Sequence, residues 1–286
     1  MESGVIIDVI VPACLAVMMV GLGMTLVPDD FKRVAVFPKA AGVGVAFQIV
    51  MLPLIGFALA SAFPLAPELA VGVMLLASCP GGVASNVITH LAKGDTALAV
   101  TLTIISSSLS LISIPLIVSL SLVHFMGVDS EVKLPVIETV IKVFILIVPT
   151  VITGMIVKAK APGLAARSEK PVNLGGLFFL IILVVGVAVS EKDIIARETI
   201  NAGPVSVSLC VLASLIGYFG ARAFSVSKTR SITIAIGTGF QNSALALVIA
   251  TSFLKNAQIA IAPAVYTMVM YLTAGAIVAY ANFARK

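Results

Sequence analysis

Tryptophan is absent from this 286-residue chain, histidine occurs twice, cysteine three times, and only 11% of the residues carry charge. The shortage of charge excludes most fold classes, because a soluble domain covers itself with roughly 25% charged residues. Cys14, Cys79 and Cys210 lie inside apolar runs at no disulfide or metal-ligand spacing, so they read as small buried hydrophobes. His90 and His124 fall at the ends of apolar runs and read as surface or packing residues rather than proton carriers. No acid–base pair, nucleophile constellation or metal cluster sits within those runs, which excludes an enzyme and gives no role to an organic cofactor. The net charge of +5 is spread between the apolar runs rather than gathered on one face, which argues against nucleic acid and for a charge bias across a membrane.

What the sequence has in abundance is apolar length, since 60% of its residues are hydrophobic. Taking about 20 residues per crossing gives nine spans, near 5–26, 36–62, 69–92, 96–123, 134–157, 173–190, 204–224, 231–254 and 257–282. The chain therefore reads as an all-α integral membrane protein of the cell (inner) membrane. Most Lys and Arg fall on one side of this arrangement, which puts the N-terminus outside and the C-terminus in the cytoplasm. The longest polar connector runs from Lys158 to Pro171, and Lys93-Gly94-Asp95 reads as a tight glycine turn with Asp95 capping the next helix.

Two spans carry interruptions that lipid would not tolerate. Pro80, Gly81 and Gly82 remove an N–H donor and side-chain cover from the third span, with Ser85 and Asn86 following; Gly237 and Gly239 likewise strip side-chain cover and add backbone freedom in the eighth, before Gln241 and Asn242. Irregular backbone at membrane depth survives where protein buries it or where it lines a watery cavity. Kinks with ordinary packing residues are the plain alternative for either break alone. A pair of broken spans, one per half, points instead to the binding site of a secondary transporter, with the breaks crossing near mid-membrane. Each half ends with a broken span, a short turn and a long span. The trios 36–123 and 204–286 then insert with opposite orientation as inverted-topology repeats, leaving spans one (1–35), five and six (124–203, with connectors) as a supporting unit.

A sodium ion inside a bilayer needs hard oxygens, and those on offer are freed carbonyls with Ser85, Asn86, Thr101, Thr103, Gln241, Asn242 and the lone Gln48. For Gln48 an interhelical hydrogen bond stands beside the ligand reading, and each Ser or Thr can instead bond back to its own helix. Freed N–H groups at the same breaks can receive an organic anion.

These residues carry a family resemblance along essentially the whole chain. Cys79-Pro80-Gly81-Gly82-Val83-Ala84-Ser85-Asn86 followed by Lys93-Gly94-Asp95, Gln48 four residues before Leu52-Pro53, and Gly239-Phe240-Gln241-Asn242-Ser243-Ala244-Leu245-Ala246 together resemble the bile acid:sodium symporter family. The resemblance implies a six-helix core domain, a panel domain of spans one, five and six, and elevator-like alternating access for an organic anion with sodium. It assigns a first sodium site to Ser85, Asn86 and Thr103. A second would use Gln48, Gln241 and backbone carbonyls near Thr238 and Phe240. The anion crevice would take Asn86, Asn242, Val83, Gly237 and Tyr271. Three positions depart from the family pattern. Gly237 stands where members usually place a Glu shared by both sodium sites, Ala99 where many bacterial members have a Ser, and Tyr271-Leu272 where some relatives have a polar pair. Losing that carboxylate implies weaker or single sodium binding, or coupling that has lapsed, and admits a membrane receptor or a passive facilitator as the alternative.

Overall fold

The computed structural model describes residues 11–25, 38–127, 136–190 and 192–283, and the regular elements among them are helices. The start of the expected first span, the whole connector after it, residues 128–135 and the C-terminal Arg285 and Lys286 lie outside the described residues, as does the side chain of Val83. In chain order the helices are α1 Val11–Thr25, α2 Pro38–Ala62, α3 Pro67–Ser78, α4 Val83–Leu91, α5 Thr96–Ser121, α6 Val136–Lys160, α7 Pro162–Ser190, α8 Lys192–Ala223, α9 Lys228–Gly239, α10 Ser243–Val248 and α11 Ile261–Phe283. A π-helical turn, Phe47–Met51, lies inside α2, and two more, Leu122–Met126 and Ile249–Phe253, extend α5 and α10.

Three of the described helical stretches are long and apolar enough to cross a bilayer: Pro38–Ala62, Ile200–Ala223 and Ile261–Ala279. A bent pair, Thr96–Ser110 with Ile112–Met126, makes a fourth when taken as one span, and Pro67–Ser78 and Ser243–Phe253 are shorter apolar helices. With 60% hydrophobic residues, this is an all-helical integral membrane protein.

Prolines mark boundaries less firmly than a sequence suggests. The stretch expected as a polar connector, 158–171, is helical but for Ala161, because α7 begins at Pro162 and runs through Pro171. Proline suits a first helical position, where its missing N–H leaves nothing unsatisfied. Helix α8 likewise begins at Lys192 and continues through Pro204.

Helix α1 packs on α6 and α7, while α2 to α5 pack with α8, α9 and α11 around the junctions between α3 and α4 and between α9 and α10. The turn that follows each short helix braces the first half of the other pair. After α4, Gly94 lies against α9, where a Cβ would stand 2.8 Å from Thr233 Oγ1. The Asp95 N–H donates to that same hydroxyl at 2.8 Å. Gly94 thus serves close approach, while the left-handed residue of this turn is Lys93 (φ 54°). Asp95 caps α5 by accepting from the Leu98 N–H, and its other carboxylate oxygen lies 3.2 Å from Arg230 Nε. That pair is partly exposed to solvent and is worth no more than about 1 kcal/mol.

On the other side, a Cβ at Gly72 of α3 would collide with the Ile259 carbonyl in the turn before α11. Because backbone rather than a flexible side chain blocks it, Gly72→Ala is expected to destabilise the fold by about 1–3 kcal/mol, seen as a lower melting temperature in detergent. An unchanged melting temperature would mean that α3 is free to move off this turn.

Candidate functional site at the crossing of two helix interruptions

Helix α3 stops at Ser78, with Cys79 extended (φ −71°, ψ 151°), and α4 begins after Gly82, also extended. Pro80 supplies no N–H, so the helical ladder cannot run through it. The second interruption falls at Phe240–Asn242 rather than at Gly237–Gly239, because the two glycines remain inside α9 and Phe240 (φ −121°, ψ 92°) is the first residue to leave it. The two interruptions lie side by side. Gly81 and Gln241 form an antiparallel bridge in which the Gly82 N–H donates to the Phe240 carbonyl at 3.0 Å and the Asn242 N–H to the Pro80 carbonyl at 2.8 Å. Gly82 allows the two backbones to approach closely, since a Cβ there would stand 3.1 Å from the Gln241 carbonyl, tighter than most such contacts. The C-terminal ends of α3 and α9, with partial negative charge, and the N-terminal ends of α4 and α10, with partial positive charge, converge here.

A helix leaves its last four carbonyls without intrahelical partners, and at the end of α9 these can be accounted for one by one. Ile236 accepts from the Phe240 N–H at 2.9 Å. Thr238 accepts from Gln241 Nε2 at 2.6 Å. Gly239 accepts from the Tyr266 hydroxyl at 2.8 Å and from the Cys210 thiol at 3.6 Å. The Gly237 carbonyl has no hydrogen-bond partner among the described residues. It lies beside Gly81 and Gln48, for a Cβ on Gly81 would be 3.5 Å from both the Gly237 oxygen and Gln48 Nε2. Gln48, in the π-helical turn of α2, is 2% exposed and its Oε1 is unpartnered; Gln241 is equally buried and its Oε1 is unpartnered too. Leaving one buried acceptor unsatisfied costs about 1–3 kcal/mol. Gln48 and Gln241 thus each bury an unpartnered amide oxygen beside the interruptions, where the Gly237 carbonyl is also without a partner among the described residues, and such oxygens are of the kind a cation takes.

Asn86 and Thr103 are brought together, with the Thr103 hydroxyl 3.2 Å from Asn86 Oδ1 and also bonded back to Ala99 O at 3.0 Å. The Ser85 hydroxyl donates to the Gly82 carbonyl at 2.6 Å, and that of Thr238 to Ile234 at 2.7 Å, so both of these donors are spent locally. Thr101 bonds back to Ala97. Asn242 caps α10, its Oδ1 accepting from the Leu245 N–H at 3.1 Å. Tyr271 is exposed on α11 and makes no hydrogen bond among the described residues; the tyrosine that reaches the crossing is Tyr266, one and a half turns earlier on the same helix. Tyr266, Cys210 and the unpartnered hydroxyls of Ser214 and Ser243 carry no sequence signal, being single polar groups within apolar runs. A separate cavity of about 350 Å³, lined by Pro53, Phe57, Met74, Ile117 and His124 among others, is apolar, and the His124 ring packs there on Phe57 at 5.1 Å.

Residues 12–198 match the profile of the Sodium Bile acid symporter family. The chain belongs to that family. It is 32% identical over 238 residues to the uncharacterised sodium-dependent transporter YocS of Bacillus subtilis, covering 83% of this chain and 72% of YocS. It is 30% identical over 244 residues to the human ileal sodium/bile acid cotransporter, covering 84% and 68%. It is 28% identical over 269 residues to a rice protein named "Probable sodium/metabolite cotransporter BASS2, chloroplastic", covering 93% of this chain and 62% of that protein. These symporter-family relatives carry the names of transporters and not of enzymes.

Proposed function

We propose that this chain carries a small organic anion across the membrane by alternating access, with a single sodium ion bound at the crossing. The observation that carries this reading is the set of unpartnered oxygens on residues at the interruptions: Gln48 Oε1 on α2, Gln241 Oε1 in the second interruption, and the Gly237 carbonyl in the last turn of α9, whose C-terminal dipole favours positive charge. Asn86 with Thr103 supplies further oxygens one turn into α4. The anion would sit toward the N-termini of α4 and α10, near the Asn86 and Asn242 amides, where freed N–H groups favour negative charge.

Gly237 places no carboxylate between two cations, which is why one ion is proposed rather than two. The nine crossings, the opposed trios 36–123 and 204–286, the grouping of α1, α6 and α7 as a panel and an outside N-terminus belong to the same reading. The reciprocal bracing of α3 and α9 by the turns at Ile259 and Gly94 supports the opposed repeats.

Without that carboxylate a receptor that binds the anion but does not move it is the second reading. Counterflow in proteoliposomes separates the two. Exchange of a labelled small carboxylate or bile acid, driven by the unlabelled anion with no ion gradient, is expected. Saturable binding without exchange would establish the receptor.

A further inference from the structure

Successive helix residues turn by about 100°, so positions two apart face nearly opposite ways. Gly237 faces Gln48 and Leu102, and Gly239 faces α8, where a Cβ would collide with Ser214 Oγ and stand 3.4 Å from the Cys210 carbonyl. The last turn of α9 is thus held from behind by α8, while its front faces Gln48 and Leu102 at the crossing. The hold is made by two donors from two other helices. Tyr266 of α11 is fully buried and gives its hydroxyl to the Gly239 carbonyl, and Cys210 of α8, equally buried, gives its thiol to the same oxygen. Among the described residues the first interruption has no such hold. There Ser78 bonds back within its own helix and the Pro80 carbonyl goes to Asn242.

We infer that Tyr266, assisted by Cys210, is a positioning residue for the cation site: by taking the Gly239 carbonyl it fixes the peptide planes at the end of α9, so that the Gly237 carbonyl, and not Gly239, is presented to the ion. A buried phenol suits this task because its rigid ring has only the hydroxyl to turn and that hydroxyl must find a partner. Without it, Gly239 loses its strong donor and its carbonyl can swing, drawing the 237–240 peptides with it. The inference rests on the proposed cation site, since the groups named touch α9 and not the ion.

The test is a sodium titration of the purified full chain, with sodium chloride replaced against choline chloride at constant ionic strength and read as the melting temperature. Tyr266→Phe keeps the ring and removes the donor. It is expected to raise the half-saturating sodium concentration by about 3- to 10-fold, the worth of one hydrogen bond, and to narrow the preference for sodium over lithium. A hydroxyl needed only for packing would lower the melting temperature equally at every salt composition and leave half-saturation and ion preference unchanged, which would overturn the inference. If Tyr266→Phe does not fold, Cys210→Ala carries the test, with an expected shift of about twofold for a weaker donor, and no shift overturning it. A wild-type titration that is flat in sodium would overturn the cation site itself, a result distinct from a responsive wild type with unresponsive variants.

Discussion

Replacing Gly237 with glutamate is expected to steepen the sodium dependence of transport or binding, from a Hill coefficient of about 1 toward about 2. Two monovalent cations about 4 Å apart repel by about 4 kcal/mol at an effective dielectric constant near 20, and neutral amides and carbonyls offset little of this. A carboxylate between them offsets most of it. The backbone at 237 accepts a side chain, because the residue lies in regular helix and Gly127, not Gly237, is the glycine with positive φ among the described residues. The obstacle is Gln48 Nε2, 2.7 Å from where the Cβ would stand, and this is the end of a flexible side chain. Once displaced, the same N–H group can donate to the new carboxylate. In sodium-free buffer the variant should melt below the wild type, since it buries an unpaired charge, and sodium should restore it. A Hill coefficient still near 1, in a variant that folds, would show that charge is not what limits the ion count.

Asn242→Ala and Asn86→Ala are each expected to reduce anion transport by about 100-fold, in line with the roughly 1.5–3 kcal/mol of a hydrogen bond to a charged group. The folding cost should be much smaller. Asn242 Oδ1 caps α10, so its loss costs about 1 kcal/mol. Losing Asn86 leaves the Thr103 hydroxyl its other partner, Ala99 O. Uptake per folded molecule, with surface level and melting temperature measured beside it, separates the two effects. Normal uptake by both variants would remove the crevice from the account.

Composition marked a membrane protein, with charge at only 11%, and apolar runs of about 20 residues marked its spans as helices. The local chemistry of Pro80 and Gly82 likewise marked where regular helix gives out. The second interruption was misplaced by a few residues, since glycine permits a break without requiring one. The neighbours decide: Gly237 and Gly239 stay helical to let Gln48 and Ser214 approach. Gln48 was legible as an amide that must be accounted for. Tyr266 and Cys210 were not, because their bonds to Gly239 span 27 and 29 residues and a lone Tyr or Cys in an apolar run has no spacing to betray it. For the same reason Cys210 was read as a plain hydrophobe.

Equilibrium binding of radiolabelled sodium to the purified wild-type chain, counted per molecule, tests the account most directly. One ion per chain, saturating with a Hill coefficient of about 1, is the predicted result. Two ions bound cooperatively, or none, would contradict it.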